Sequence, residues 1–244
     1  MKKSKVHKQS DECGDMNANK DILKKIHLKR KVGNKYRKKL LKISKNKIWQ
    51  VYKSLEALNK KLVGGKSDKI ITTGSFGELM VCSLLGMDML SGTTNRGPDA
   101  VLLKDSEIKG LKKGRYQIKY RDDDTSDIMF RVDTDENGRL DERYAWDYLL
   151  IATHPTKNGN GYSIRPNNFF IIPLEEAVRL SEVLDGLHTS EKKNNYYYSL
   201  RINWKSNREG NGNVGSKREC IKKKFRIKVP REKLKFNNVY IVAF

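Results

Sequence analysis

Helical and β-like segments follow one another in a definite order along this chain, and that order restricts its fold more than any other feature. Apolar or alternating runs predict strands at residues 100–103, 115–120, 128–132, 148–153, 196–204, 224–229 and 239–244. Helical spacing predicts one helix from Ser75 to Leu85, ended by Gly86, and another over residues 174–184 after Pro173. Because strands and helices are interspersed, the sequence predicts an α/β (α+β) domain.

The N-terminal part has a different pattern. Residues 1–18 are polar and predict a disordered tail. From residue 21 to about residue 63, apolar residues recur every three or four positions between lysines, which predicts a helical N-terminal extension ended by Gly64 and Gly65. Residues 205–217 are rich in Asn and Gly and predict a long loop.

The charge of the chain is divided unevenly. The 244 residues carry a formal net charge of +22, of which residues 1–66 contribute +16, residues 67–186 contribute −5 and residues 187–244 contribute +11. We therefore expect three parts: a basic tail with the helical extension (1–66), an acidic core (67–186) and a basic β-rich region (187–244).

Basic flanks around an acidic centre are typical of a protein that binds a polyanion and holds a cation beside it, since lysines contact phosphates and carboxylates bind divalent metals. Basic arms can also serve solubility or an acidic membrane surface. No amphipathic helix with large apolar anchors accompanies these basic residues, so a nucleic acid is the favoured partner.

Several other classes of protein fit the sequence poorly. No apolar stretch approaches the roughly 20 residues of a membrane span, and the first residues lack the apolar region of a secretory signal. The cysteines, Cys13, Cys82 and Cys220, are scattered, which argues against a disulfide framework or a zinc module. The chain has no Walker motif. We expect a cytoplasmic protein without a membrane partner or a nucleotide cofactor.

The predicted strand at residues 115–120 carries a row of polar side chains. In strand geometry Gln117, Lys119 and Arg121 share one face, because successive side chains alternate. A hairpin centred near Ile108 would set Asp99 opposite Gln117. The rival pair, Glu107 and Lys109, would need a turn inside an apolar run without turn residues, so we reject it.

These residues carry a family resemblance. Pro98-Asp99 followed by Gln117-Ile118-Lys119 resembles the PD-(D/E)XK nuclease signature in its QxK variant, as found in Mrr-like and some type II restriction endonucleases. Residues 77–86 and 95–99 are similar to the family's first core helix and the approach to its metal-binding aspartate, and residues 148–153 resemble the strand after its active-site hairpin. The resemblance covers residues 74–153 and implies a restriction endonuclease-like core, in which helices flank a mixed central sheet.

The resemblance also implies a chemistry. Phosphodiester hydrolysis requires a metal that neutralises developing charge and polarises a water. The implied ion is Mg²⁺, with Mn²⁺ as a substitute, and its implied ligands are Asp99, the amide oxygen of Gln117 and Glu78. Lys119 would lie beside the attacking water and the scissile phosphate, offsetting negative charge. Most members of the family carry Asp or Glu where this chain has Gln117, so fewer charges would hold the metal.

Each candidate also has a purely structural explanation. Asp99 can begin a strand or cap a turn after Pro98. Gln117 and Lys119 can form the solvated face of an ordinary strand. Glu78 follows Ser75 at capping-box spacing and can cap its own helix. The acidic run at residues 122–124 fits a solvated loop better than a metal cluster, and His154 is more simply structural.

The C-terminal part offers residues for DNA contact. Alternation predicts one packed and one polar face for the strands at residues 196–204 and 224–229. Arginine and asparagine on a polar strand face can read guanine and adenine in a groove. A basic, solvated strand face that contacts only phosphates explains the same residues equally well. The expected DNA-binding residues are Arg121, Arg201, Asn203, Arg208, Lys224 and Arg226.

Together these features predict a Mg²⁺-dependent endonuclease acting on double-stranded DNA, a type II site-specific deoxyribonuclease of a restriction-modification system that works as a homodimer. Two alternatives stay open. One is a structure-selective, repair or homing nuclease on the same core, and the other is a catalytically inactive DNA-binding protein of this fold.

Overall fold

A computed structural model describes residues 39–63, 74–91, 97–121, 127–136, 139–154, 165–185, 197–202 and 222–243. The predictions for the polar tail, the acidic run at 122–124, Asn203, Arg208 and the loop at 205–217 lie outside these residues.

The described residues form a mixed α+β structure. In chain order its elements are β1 (Lys39–Ile43), α1 (Lys45–Val63), α2 (Gly74–Leu85), β2 (Asp88–Ser91), β3 (Ala100–Leu102), β4 (Gly114–Arg121), β5 (Ile128–Asp133), β6 (Tyr148–Thr153), β7 (Asn168–Pro173), α3 (Leu174–Asp185), β8 (Tyr197–Ile202), β9 (Arg226–Ile227), a 3₁₀ turn (Arg231–Lys233) and β10 (Val239–Ala243).

Eight of the strands form one mixed sheet. Its order is β1-β10-β2-β3-β4-β6-β7-β9, while β5 and β8 pair with each other as a separate two-stranded ribbon. Strands β2, β3 and β4 are antiparallel neighbours, β6 runs parallel to β4, and β7 runs antiparallel to β6. The eight-stranded sheet therefore draws strands from all three segments defined by charge.

Helices and the ribbon cover the two faces of this sheet. On one face, Val81 and Leu85 of α2 pack against Tyr116 and Ile118 of β4, and Tyr52 of α1 packs against α2. On the other face, the ribbon and α3 bury the apolar side chains of β6 and β7. Strand β4 is thus enclosed between two layers along most of its length.

Two sequence predictions about this fold are wrong. Residues 39–43 form strand β1, not helix, because they pair with β10, nearly 200 positions further along the chain. Residues 224–229 are not one strand: residues 222–225 form a helical turn, and only Arg226–Ile227 pairs with β7. The predicted helices α2 and α3 and the predicted strands β3 to β6, β8 and β10 are confirmed within one to three residues at the ends that the structure describes.

Two further strands were missed. Strand β2 has four residues and no alternation, but β7 carries the continuous apolar run at residues 169–172, which is a signal for a buried strand. None of the helices in the described ranges is long and apolar enough to cross a membrane.

Candidate active site

Asp99 lies opposite Gln117 across the β3–β4 hairpin, which confirms the predicted register. Ala100 pairs with Tyr116, and the Asp99 N–H donates a hydrogen bond to the Tyr116 carbonyl at 2.8 Å. The Asp99 carboxylate in turn accepts a hydrogen bond from the Ile118 N–H at 2.6 Å. One oxygen of this carboxylate is therefore held at the strand position between Gln117 and Lys119.

Helix α2 brings Glu78 to the same place. The helix runs from Gly74 to Leu85, so Glu78 lies near its N-terminal end, on the part that packs against β4. The pKa of the Glu78 carboxyl is raised to about 7, mainly by burial and secondly by the negative charge of Asp99, while Lys119 partly opposes both. Glu78, Asp99 and Lys119 therefore act on one another electrostatically.

A glycine allows this approach of helix to strand. A Cβ on Gly77 would lie 2.6 Å from the ring of Tyr120, the neighbour of Lys119 on β4. Only a residue without a side chain lets α2 pack this closely against the end of β4. Gly77 thereby sets the distance between Glu78 and the strand that carries Lys119.

The pKa of Asp99 is also raised. Burial is the main cause, and the charge of Lys119 and the Ile118 hydrogen bond oppose it. Cys82 lies one helical turn after Glu78, and burial and the charges of Asp99, Glu78 and Asp88 raise the pKa of its thiol well above the usual range. The site thus contains two half-buried carboxyls that resist losing their protons together.

Gln117 is buried and has a structural contact of its own. Its Oε1 accepts a long hydrogen bond, 3.4 Å, from the N–H of Arg131 in β5. The amide oxygen expected to face a metal is therefore also the acceptor that links β4 to the ribbon. A carbonyl oxygen has two lone pairs, so this contact and a metal contact are compatible in number.

The donor set fits Mg²⁺. Carboxylate and amide oxygens are ligands that this ion prefers, and it usually retains several waters beside one or two carboxylates. A cation at this place would also offset the charge of Asp99, which acts on Glu78. Among the described residues, no group of three or more His, Cys, Asp or Glu side chains is arranged to hold a metal. Any metal would therefore depend on these two carboxylates, the amide and water.

The rejected pair lies elsewhere. Glu107 and Lys109 are both exposed in the connection between β3 and β4, and Glu107 forms an ion pair with Lys233. That ion pair and its hydrogen bond lower the pKa of Glu107, opposite to the shift at Glu78. These two residues belong to the connection and not to the site.

Three of the expected DNA-binding arginines lie at the sheet end that carries Lys119. Arg121, the last residue of β4, lies opposite Thr153 at the end of β6, and Thr153 pairs with Asn168 of β7. Arg226 of β9 donates a hydrogen bond to the Asn168 side chain, so it lies at the same end of the sheet. Arg201 of β8 forms an ion pair with Asp127 at 3.5 Å, and the Arg121 side chain donates to the Asp127 carbonyl at 3.3 Å.

Lys224 is not part of this group. It forms an ion pair with Glu176 at 3.6 Å, in the first turn of α3, at the opposite end of β7. His154 is buried and its ring meets the ring of Tyr120 edge-on at 4.7 Å, which agrees with a structural role. Sequence reasoning missed the contributions of Gly77, Cys82 and Tyr120, although the four-residue spacing from Glu78 to Cys82 was a signal for one shared helix face.

In comparisons with known proteins, no family model matches this chain and no curated protein matches it either. Its function must therefore be inferred from the residues of the site.

Proposed function

We propose that this chain is a Mg²⁺-dependent endonuclease that hydrolyses phosphodiester bonds in double-stranded DNA, with a PD-(D/E)XK-type site on a restriction endonuclease-like core. One observation carries the proposal. The Asp99 carboxylate accepts a hydrogen bond from the backbone between Gln117 and Lys119, and the charges of Asp99 and Lys119 both act on Glu78 of helix α2. The combination of Asp99 beside β4, Glu78 on α2, and an amide and a lysine two positions apart on β4 matches the needs of phosphodiester hydrolysis.

Each side chain has a distinct task in this proposal. Asp99 and Glu78 hold the cation, and Gln117 contributes an amide oxygen or orients a water. When bound, Mg²⁺ neutralises charge on the phosphate and polarises a water. The ammonium group of Lys119 stabilises negative charge that develops on the phosphate oxygens, in a half-buried site where such an interaction is stronger than in water.

The rest of the proposal concerns the partner and the assembly. The flanks carry net charges of +16 and +11, which suits binding to DNA phosphates, and Arg121 and Arg226 lie at the sheet end that carries Lys119. We propose type II, site-specific cleavage by a homodimer, since two-fold symmetry of the enzyme matches a symmetric DNA site.

A second candidate is a DNA-binding protein of the same fold that has lost cleavage. The contact between Gln117 and Arg131 favours it, because that contact gives the glutamine a structural reason to be present. The two candidates differ in one measurable property, metal-dependent cleavage.

The test is cleavage of a mapped plasmid with Mg²⁺ by the wild type and by two variants. Asp99→Ala should abolish both cleavage and Mg²⁺ binding. Lys119→Ala should retain Mg²⁺ binding and slow cleavage by about 10²–10³-fold, because it removes one charge that stabilises the transition state. Both variants should keep the fold and most DNA affinity, which the basic flanks supply.

Lys109→Ala and Glu107→Ala are the matched controls, and both should cleave as the wild type does. Wild-type rates in the Asp99 and Lys119 variants would end the nuclease assignment at these residues. Discrete fragments would indicate site-specific cleavage, whereas a smear would indicate a structure-selective enzyme. A wild type that binds DNA but never cleaves it would leave the inactive binding protein.

A further inference from the structure

The ribbon formed by β5 and β8 has one buried face and one outward face. Its inner side chains, Ile128, Phe130, Val132, Tyr198, Leu200 and Ile202, belong to the core shared with β6, β7 and α3. The outward face carries Met129 and Arg131 from β5 with Tyr197, Ser199 and Arg201 from β8. The cations among these described residues are both arginines, in a chain whose basic residues are mostly lysines.

The ribbon is fastened to the site by its backbone edge. At Arg131 the N–H donates to Gln117 Oε1 at 3.4 Å, and the carbonyl accepts a hydrogen bond from Trp146 Nε1 at 2.9 Å. The ring of Trp146 also meets the ring of Phe130 edge-on at 5.8 Å. The ribbon is therefore held to β4 at Gln117, which lies two residues before Lys119 on that strand.

Both arginines are held by carboxylates, Asp127 just before β5 and Asp133 at its end. Arg131 Nε donates to Asp133 Oδ1 at 2.8 Å, and its guanidinium stacks on the ring of Tyr197 at 3.7 Å. Arg201 pairs with Asp127 at 3.5 Å. A guanidinium that is already oriented loses less side-chain entropy when it forms hydrogen bonds to a ligand.

We propose that this ribbon enters the major groove of DNA and that Arg131 and Arg201 read base edges there. The inference rests on the proposed function, since it takes double-stranded DNA as the bound polymer. A major groove about 12 Å wide admits a two-stranded β-ribbon, and arginine is the side chain that most often reads guanine. Met129, whose exposed fraction is 55%, supplies an apolar group of the kind that contacts a thymine methyl.

The basic segment that contains β8 favours DNA as the occupant, and the pairing of the ribbon arginines favours base edges over phosphates as their target. Strand β8 belongs to the segment with a net charge of +11, whereas each ribbon arginine is paired with an aspartate. Paired arginines add little to the general attraction for phosphates. Their loss should therefore change sequence preference more than it changes affinity for arbitrary DNA.

The same geometry gives Gln117 a second task, that of a positioning residue. By accepting the Arg131 N–H it holds the reading face at a set distance from Lys119, so that recognition and cleavage occur in a defined register. This task needs an acceptor oxygen and no negative charge.

The experiment is a selection of bound duplexes from a pool with randomised central positions, carried out with the full chain and without Mg²⁺. The wild type should enrich one sequence. Arg131→Ala and Arg201→Ala should each relax one position, losing about 10- to 100-fold in discrimination there. Affinity for an unrelated duplex and the slope of its salt dependence should stay as in the wild type. Arg179→Ala on α3 is the control, because it also removes an arginine paired with a carboxylate, Glu176, and it should leave preference unchanged.

Arg131→Lys guards against a folding defect, since it keeps the charge and the reach but not the planar fork, and it should relax the same position. Equal weakening for all sequences, with a salt slope reduced by about one, would indicate phosphate contacts and overturn the inference. Unchanged preference in both alanine variants, or a wild type that enriches no sequence, would overturn it as well. Because the selection needs no cleavage, a chain that never cuts DNA but loses a base preference in Arg131→Ala would refute the proposed nuclease and support the ribbon.

Discussion

Glu78 is half-buried beside a second carboxyl, and its ionisation opposes folding when no metal is present. The pKa of Glu78 is about 7 in the folded chain, against 4.5 for an ordinary Glu. Between these values the folded state binds more protons than the unfolded state, so the stability that a protonated Glu78 provides is lost as the pH rises towards 7. We predict that Glu78→Gln raises the free energy of unfolding at pH 8 by about 1–2 kcal/mol, allowing for partial solvent exposure, and changes it little at pH 5.

Chemical denaturation with a chelator present measures this difference. Glu107→Gln is the control, because Glu107 is exposed and the pKa of its carboxyl is lowered by Lys233, and it should give no gain at pH 8. A Glu78→Gln variant no more stable than the wild type at pH 8 would show that Glu78 is solvated and far from Asp99.

Gly77 is the second residue on which the site depends. Alanine favours a helix over glycine by about 1 kcal/mol, but a Cβ at this position would lie 2.6 Å from the Tyr120 ring. We predict that the clash prevails, so that Gly77→Ala destabilises the fold by about 1–3 kcal/mol and slows cleavage by displacing α2 from β4. Gly74→Ala is the matched control, since among the described residues no atom outside its own stretch of helix lies within 4 Å of a Cβ there. Equal stability of the two variants in thermal denaturation would contradict the close packing.

At the scale of elements, a buried ion pair joins β4 to the segment that enters β6. The Arg115 N–H donates to Asp147 Oδ2 at 2.8 Å, and the Arg115 side chain reaches both oxygens of the same carboxylate at 3.3 Å. We predict that Asp147→Ala costs about 3 kcal/mol in the free energy of unfolding, because it leaves a buried guanidinium whose remaining carboxylate partner, Glu142, lies 3.9 Å away and is partly exposed.

The comparison for this pair is Arg143→Ala, which removes a mostly exposed arginine paired with Asp141 and should cost under about 1 kcal/mol. Urea denaturation of both variants measures the two effects. A similarly small decrease in the free energy of unfolding for both variants would mean that water reaches the ion pair of Arg115 and Asp147.

At the scale of the whole molecule, the basic flanks dominate binding. Their net charges of +16 and +11 predict that affinity for duplex DNA falls steeply as salt rises, because binding releases condensed counterions. Titration at 50 and 200 mM salt should show a loss of about 10³-fold or more if at least six phosphates are contacted. An affinity that does not change with salt would rule out phosphate contacts as its source.

The first 20 residues offer a test of the division of the chain. Their sequence lacks apolar periodicity, so we predict that a chain without them keeps its thermal unfolding transition and loses only DNA affinity. Loss of the transition would make this segment part of the fold.

Much of the fold was predictable because the hydrophobic pattern of a segment agrees with the burial of its side chains in the structure. The alternation at residues 197–202 matches one buried and one outward face, and the run from Tyr148–Thr153 is a strand with the predicted ends. The prediction for residues 39–43 was wrong because a segment of five residues with two leucines between lysines suits either a helix or a strand. Pairing with β10, far along the chain, decided between them.

For the candidate site, the sequence alone determined which residues are candidates and which two of them, Asp99 and Gln117, lie opposite each other. The hairpin count brought Asp99 opposite Gln117, since antiparallel pairing converts sequence separation directly into register. Only the tertiary structure decided what surrounds these residues: the approach of Glu78 through Gly77, the Gln117 contact with the ribbon, and the pairing of β5 with β8 that sets Arg131 beside Arg201. These contacts join elements distant in sequence, and the balance of packing over the whole core, which no local pattern contains, selects them.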